Sequence, residues 1–199
     1  MRIETLDDLC ALYGEAPEGA IMKVTDRLTP GYRALVEAAP LVVLATGDAD
    51  GLDCSPRGDP GQVAFVQDEQ TLVVPDRRGN NRLDTLRNIV ADGRIAALFL
   101  IPGCNETLRI NGRAHLSTEP TLLERHAMHG KRPVCCIVIE LAEVYFQCAR
   151  ALIRSDLWNA RVDRATLPKA GELTAMANPS FDAGPYDAAL RERQLRTLY

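Results

Sequence analysis

Residues 41–57 read LVVLATGDADGLDCSPR, and this stretch has the pattern of a β-hairpin. The apolar, β-branched run at 41–46 predicts a buried strand. The turn signal GDADG at 47–51 follows it, so residues 52–57 are expected to pair back against the first strand. The fold is therefore expected to contain an antiparallel hairpin in its first third.

Further strand patterns follow this hairpin. They lie at 63–67, 71–75, 94–101, 107–116, 134–140 and 144–147. The run 94–101 is apolar throughout and predicts a strand buried on both faces, whereas 107–116 alternates and predicts a half-exposed strand. Because many of these segments are joined as hairpins, we expect a mostly β protein. Its predicted form is an antiparallel β-barrel of six or seven strands with peripheral helices.

Helical periodicity is confined to short segments around the strands. The predicted helices cover 5–13, 31–39, 82–91, 120–129, 149–158 and 187–198. The apolar stripe expected on the third helix consists of Leu83, Leu86, Ile89 and Val90. Proline and glycine are frequent between 159 and 185, which predicts an extended connection. We expect a single domain over 1–199, with N-terminal helices at 1–40 and a C-terminal extension at 159–199.

The composition excludes several classes of protein. The chain has 199 residues, of which 46% are hydrophobic and 25% charged, as in ordinary globular domains. It contains no run of about 18 apolar residues, which argues against a membrane span. Its net charge of −4 gives no reason to expect a nucleic-acid partner. Because no secretory signal pattern is present, a reduced, cytoplasmic setting is expected.

The cysteines and histidines do not predict a metal site. None of the six cysteines forms a CxxC pair, and the histidines lack partners at metal-ligand spacing. Cys135 and Cys136 stand in an apolar run and are expected to be buried, and Cys54 is expected to pack inertly. Surface positions are expected for all three histidines: His115, His126 and His129.

A cluster of arginines gives the clearest chemical signal. Of 23 basic residues three are Lys and the other 20 are Arg. Five of the arginines fall within residues 77–94: Arg77, Arg78, Arg82, Arg87 and Arg94. The string PDRRGNNR at 75–82 joins a predicted strand to a helix start, where free N–H groups and the helix dipole favour an anion. Gly79 would let a ligand approach the backbone closely. The turn fits either a phosphate site or a solvated surface turn capped by Asn.

Six short strings occur in an order typical of one family of flavoproteins. They are SPRGDP at 55–60, PDRRGNNR at 75–82, LRNI at 86–89, FLIPG at 99–103, ETLRINGRA at 106–114 and CARALIRSDLW at 148–158. The resemblance that they carry covers roughly residues 35–160. The chain resembles the pyridoxamine 5′-phosphate oxidase-like, FMN-binding split-barrel flavoproteins. The resemblance implies a split β-barrel and a homodimer with two FMN sites at the subunit interface.

The resemblance also implies which residues bind the cofactor. Arg57 and Gly58 would run along the flavin ring. The phosphate would be bound by the strand-to-helix turn, at Arg77, Arg78, Asn80, Asn81 and Arg82. A later strand would pass close to the isoalloxazine with Glu106, Thr107 and Arg109. The partner subunit would add Arg154, Ser155 and Trp158. Trp158 equally fits a core or dimer-interface aromatic.

The implied function is an FMN-dependent oxidoreductase that acts on an unidentified small molecule, with no catalytic residue identified. Two alternatives stay open. One is a non-catalytic flavin-binding or flavin-sensing module, because a fold does not fix a function. The other is pyridoxamine 5′-phosphate oxidase itself, although residues 159–199 show no counterpart of its C-terminal segment rich in Trp and Arg. A deazaflavin could also take the place of FMN in the same barrel.

Overall fold

The computed structural model describes residues 2–199 and shows a β-sheet surrounded by short helices. The strands are β1 (Leu41–Gly47), β2 (Leu52–Gly58), β3 (Phe65–Asp68), β4 (Thr71–Asp76), β5 (Arg94–Leu100), β6 (Thr107–Ser117) and β7 (Cys135–Gln147). The helices are α1 (Leu6–Tyr13), α2 (Glu18–Ile21), α3 (Pro30–Glu37), α4 (Asp84–Ala91), α5 (Pro120–Arg125), α6 (Arg150–Ser155), α7 (Ala170–Ala177) and α8 (Ala183–Arg196). Among residues 2–199, no helix combines the length and the apolar character needed to cross a bilayer.

The seven strands form one antiparallel sheet in the order β2-β1-β5-β6-β7-β4-β3. The first hairpin is confirmed, with Leu41 opposite Gly58 and Gly47 opposite Leu52. Backbone pairing stops at β2 on one side and at β3 on the other, so the sheet is open. The predicted fold class, a mostly β antiparallel architecture with peripheral helices, is confirmed.

Strand β7 corrects the prediction for the last part of the sheet. The two separate strands predicted at 134–140 and 144–147 are wrong, because β7 runs through both. Its pairing with β6 shifts register between Asn111 and Gly112, which leaves Ala142 as a bulge. A bulge interrupts the alternation of polar and apolar residues without ending the strand. The sequence pattern therefore resembles that of a turn.

The core lies on the inner face of the sheet. Val42 of β1, Phe99 of β5 and Leu108 of β6 are completely buried there. In β5 buried residues alternate with partly exposed ones, so the prediction that this strand is buried on both faces is wrong. Its outer residues Leu98 and Leu100 stay partly exposed in the single chain. The sheet therefore keeps an apolar outer face.

Helix α4 buries only part of the predicted apolar stripe, because Leu86 and Ile89 pack on the core as predicted and the other two residues do not. Leu83 and Val90 are 43% and 75% exposed, so the expected apolar stripe is wrong at both positions. Thr85 and Asn88 are buried instead, and Asn88 Nδ2 donates to Thr46 Oγ1 at 3.2 Å. The helix packs on the sheet partly through paired polar side chains, which a search for apolar spacing does not detect.

The C-terminal extension is more helical than predicted. An extended connection over 159–185 is wrong, because this range contains a 3-10 turn, α7 and the start of α8. Pro168 precedes α7 and Pro185 stands in the first turn of α8, where proline is tolerated. The two helices pack together at Gly171, whose backbone N–H donates to Asp187 Oδ1 at 2.7 Å.

The bulge between β6 and β7 generates a stability prediction. A Cβ at Gly112 would lie 2.1 Å from the backbone oxygen of Glu140, so the strands would have to move apart. We expect Gly112→Ala to lower the free energy of unfolding by about 1–3 kcal/mol or more. Gly19→Ala is the matched control, because a Cβ at Gly19 meets nothing within 4 Å. Equal urea-unfolding curves for the two variants would contradict this packing.

Candidate functional site

Two arginine–aspartate ion pairs connect the ends of β2 and β4. Arg57 Nε lies 3.3 Å from Asp76 Oδ1, and Arg77 Nε lies 2.9 Å from Asp59 Oδ2. β2, which ends at Gly58, is one edge of the sheet, and four strands separate it from β4 in the sheet order. The ion pairs thus join two strand ends that share no backbone pairing. We call these four charged residues the double ion pair.

The double ion pair is largely removed from solvent. The side chains of Asp59 and Arg77 are 2% and 12% exposed. Arg77 Nη1 also donates to the backbone oxygen of His126 at 2.7 Å. Burial raises the pKa of the Asp76 carboxyl, and Arg57 opposes this shift. Arg57 and Arg77 are therefore held by protein partners, and their contacts with a cofactor stay predictions.

An exposed turn at 78–83 follows the double ion pair directly. Asn81 and Leu83 have φ angles of 62° and 63°, a left-handed conformation that is uncommon for leucine. Asn80 Oδ1 accepts a hydrogen bond from the backbone N–H of Arg82 at 3.0 Å. Leu83 is the N-cap of α4 and supplies no side-chain acceptor to the first helical turn. That helix start can therefore offer N–H groups to a ligand.

Carboxylates share this turn with the arginines. Arg82 pairs with Asp84 in the first turn of α4, and Asp53 accepts a hydrogen bond from Thr85. Arg78 is exposed and makes no ion pair or side-chain hydrogen bond within residues 2–199. Arg78 therefore has the least committed guanidinium of the turn, whereas Arg82 shares its charge with Asp84.

Arg57 and Arg109, two strand residues predicted to lie beside the flavin, are on opposite faces of the sheet. Arg57 stands opposite Val42, whose side chain is completely buried, so Arg57 faces inward. Arg109 stands opposite Leu98 on the outer face, with its guanidinium carbon 5.3 Å from the ring centroid of Tyr145. With β1 and β5 between them, their strands are roughly 14 Å apart. One chain alone does not bring Arg57 and Arg109 together.

Of the remaining predicted residues, Glu106 and Trp158 contact the loop between β5 and β6. Glu106 is exposed, and its Oε2 atom lies 3.5 Å from Cys104 Sγ. Trp158 Nε1 donates to the backbone oxygen of Cys104 at 2.8 Å, which ties the segment after α6 to this loop. Arg154 and Ser155 are exposed, whereas Thr107 is buried.

A cavity of about 550 Å³ opens on β1, β2, β5 and β6. Its polar side chains include Asp53, Cys54, Arg94 and Asn111. Asp53 also accepts a hydrogen bond from Thr85 in the first turn of α4. In the described chain, none of the residues predicted to bind the cofactor lines this cavity. Cys54 is exposed here, so the prediction that its side chain is packed is wrong, and its inertness stays a prediction.

The histidines and the paired cysteines give mixed outcomes. His126 is only 6% exposed, so its predicted surface position is wrong, because the end of α5 packs against the sheet. His115 and His129 are exposed as predicted. Cys135 and Cys136 are buried as predicted, and burial raises the pKa of Cys136 to about 11. Within residues 2–199, no group of three His, Cys, Asp or Glu side chains could hold a metal ion.

Comparison with known proteins adds a family assignment to this geometry. Residues 28–148 match the family model described as "Pyridoxamine 5'-phosphate oxidase". The chain belongs to the pyridoxamine 5′-phosphate oxidase family. The matched region contains the double ion pair, the turn at 78–83 and Arg109, and it ends before α6. Arg154, Ser155 and Trp158 therefore lie outside it.

Several solved structures are similar to part of this chain. HupZ of Group A Streptococcus is 20% identical to this chain, with a TM-score of 0.50. The match covers 60% of this chain and 93% of the HupZ chain. A pyridoxamine 5′-phosphate oxidase-type protein of Lactobacillus delbrueckii is 21% identical, with a TM-score of 0.49 and coverages of 61% and 95%. A FAD-binding protein of Mesorhizobium loti is 12% identical, with a TM-score of 0.43 and coverages of 63% and 99%. No curated protein sequence matches the chain.

The sequence patterns did not reveal the double ion pair. Asp59 follows Arg57 by two positions and Arg77 follows Asp76 directly, so each arginine has a nearby carboxylate in the chain. The observed pairing is crossed between β2 and β4 instead. The available signal was that each of these two short charged strings stands at the end of a predicted strand. Their connection became visible only with the sheet order.

The buried half of the double ion pair generates a second stability prediction. Asp59→Ala removes the partner of Arg77 and leaves a buried cation without compensation. We expect this variant to lose about 3–5 kcal/mol of unfolding free energy. Glu37→Ala is the matched control because its ion pair with Arg33 is exposed, and its effect should stay within about 0.5 kcal/mol. Similar small losses in both variants, measured by urea unfolding, would show that Asp59 does not hold the strands.

Proposed function

We propose that this protein binds FMN and acts as an oxidoreductase on a small molecule, with its cofactor site built by two copies of the chain. The observation that carries the proposal is the family match over 28–148, since this region contains both the double ion pair and the arginine-rich turn. Two features of the geometry support it. They are the donors of the turn and the apolar outer face of the sheet.

The turn at 78–83 fits a phosphate group by the chemistry of its donors. Arg78 is uncommitted within residues 2–199, Arg82 is 80% exposed in its side chain, and α4 lacks a side-chain cap. A Cβ at Gly79 would meet nothing within 4 Å, so the backbone there is open to a ligand. Asp84 and Asp53 offset part of the positive charge, which would favour a site with defined geometry over general anion binding.

FMN would supply the redox chemistry, because a bound flavin accepts and delivers hydride through its ring. The chain would supply binding and a fixed charge. Arg57 is held by Asp76, and its side chain is 20% exposed, so its remaining N–H groups keep their orientation before a ligand arrives. A preorganised donor costs little reorganisation when charge develops nearby. Arg57 is therefore our choice for the residue beside the ring.

A second copy would complete the site. Leu41 is 37% exposed, and Val43, Leu98 and Leu100 on the same outer face are partly exposed in one chain. Apolar sheet faces of this kind are typical of interfaces between subunits. If two copies contact each other through this face, Arg109 on the outer face of one copy lies against the other copy. This arrangement would explain why Arg57 and Arg109 lie on opposite faces of the sheet in one chain, since the flavin would contact Arg57 of one copy and Arg109 of the other.

One experiment separates an oxidoreductase from a flavin-binding module. The purified protein is loaded with FMN and mixed with a reduced nicotinamide cofactor without oxygen. Bleaching of the flavin band faster than for free FMN supports the oxidoreductase, and an equal rate supports a binding or sensing module. Oxidation of pyridoxamine 5′-phosphate would indicate the oxidase itself. The mass of the released native cofactor distinguishes FMN from a deazaflavin.

The phosphate contacts give a binding prediction. Arg78→Ala and Arg82→Ala should each weaken FMN binding by about 1.5–3 kcal/mol, because each removes a charge-assisted hydrogen bond. The dissociation constant is measured from quenching of FMN fluorescence. Arg33→Ala, an exposed arginine of α3 paired with Glu37, is the control and should bind as the unchanged protein does. Unchanged affinity in both turn variants would place the phosphate elsewhere.

The outer face gives a prediction on assembly. Light scattering should report a dimer for the unchanged protein, and Leu98→Glu should shift it to a monomer because a charge would be buried in the interface. Val90→Glu is the matched control, since Val90 is an exposed apolar residue on α4 and its replacement should leave the dimer intact. A monomer before any substitution, or a dimer with Leu98→Glu, would contradict this interface.

A further inference from the structure

A second, smaller cavity lies near the opposite edge of the sheet, between α5 and strands β3 and β4. Its volume is about 180 Å³. Its apolar wall is formed by Phe65, Val66, Val73 and Leu122. Val73 alternates with the core residues Leu72 and Val74, so it faces away from the main core. We call this space the α5 cavity.

His126 is the buried polar group of the α5 cavity. The residue is 6% exposed, and its ring centroid lies 4.5 Å from that of Phe65. Its backbone oxygen binds Arg77, but its imidazole forms no hydrogen bond with any group of residues 2–199. Burial lowers the pKa of His126, and the charges of Arg125 and Arg77 lower it further. A neutral imidazole has one N–H donor to offer at neutral pH.

Two other polar side chains line the α5 cavity without protein partners. Arg125 and Gln67 are both exposed and contact the cavity. Neither forms a side-chain hydrogen bond or ion pair within residues 2–199, whereas the nearby Arg132 pairs with Glu124. Glu119, a carboxylate whose charge interacts with that of Arg125, accepts hydrogen bonds from Thr121 and Leu122 at the start of α5. The cation of Arg125 is therefore available to an anion.

The size and chemistry of the α5 cavity define one class of ligand. A cavity of about 150 Å³ with apolar walls can hold a molecule of the size of benzene. The α5 cavity is slightly larger, has one apolar wall, and carries a guanidinium, an imidazole and an amide. We propose that it binds a small monocarboxylate, whose carboxylate accepts hydrogen bonds from Arg125 and His126 and whose hydrocarbon part packs against Phe65 and Leu122.

This site is separate from the proposed flavin site in its chemistry. The flavin proposal depends on the turn at 78–83, and the α5 cavity shares no lining residue with that turn. Arg77 is the one connection, because it binds the backbone oxygen of His126 and the carboxylate of Asp59. The binding of a carboxylate in the α5 cavity can therefore be measured with or without FMN.

The test uses butyrate as the probe and butylamine as its counterpart of opposite charge. Binding to the full-length protein is followed through the imidazole NMR signals, which are simple because the chain has only three histidines. We expect butyrate to move the His126 signals at millimolar concentration, with His115 and His129 unchanged. Butylamine should leave all three unchanged. Movement of His126 by both compounds, or by neither, would overturn the proposal.

Substitutions separate the cavity from general anion attraction. Arg125→Gln should weaken butyrate binding about ten-fold or more, because a charge-assisted hydrogen bond is lost. Arg132→Gln, on the same surface but outside the cavity lining, should not change it. Arg125 is exposed, so its replacement does not endanger folding, whereas His126→Gln serves as a second variant and should also weaken binding. Equal effects of Arg125→Gln and Arg132→Gln would overturn the proposal.

Discussion

The double ion pair is the constraint on which the rest of the structure depends. In an open antiparallel sheet, backbone pairing alone does not fix how far the edge strand β2 lies from β4, with four strands between them in the sheet order. Here Arg57 and Asp59 at the end of β2 meet Asp76 and Arg77 at the end of β4. Buried ion pairs tolerate little change in geometry, because a displaced partner leaves a charge without compensation. The turn at 78–83 begins at this fixed point.

Much of the fold could be predicted because its strands are local. The hairpin of β1 and β2 depends on a β-branched run and a five-residue turn, both of which are visible in the sequence. The errors arise where a long-range contact decides the outcome. Ala142 is a bulge in the pairing of β7 with β6, and Asn88 is buried where Thr46 accepts its hydrogen bond. Neither partner is close in the chain.

The candidate site could be predicted less well for the same reason. The arginine cluster at 77–82 was correctly placed between a strand and a helix, since both have clear local patterns. The commitment of Arg77 to Asp59, and the burial of His126 behind it, depend on which elements meet in space. Sequence spacing also could not show that Arg57 and Arg109 lie on opposite faces. That separation follows from the register of four strands.

The central claim is that one FMN site is built from Arg57 on the inner face of one copy and Arg109 on the outer face of another. A crystal structure of the protein grown with FMN tests it most directly. We predict the phosphate at the turn 78–83, the ring beside Arg57, and Arg109 of a second copy in contact with the same flavin. A phosphate bound away from this turn, or a flavin enclosed by one copy alone, would contradict the account.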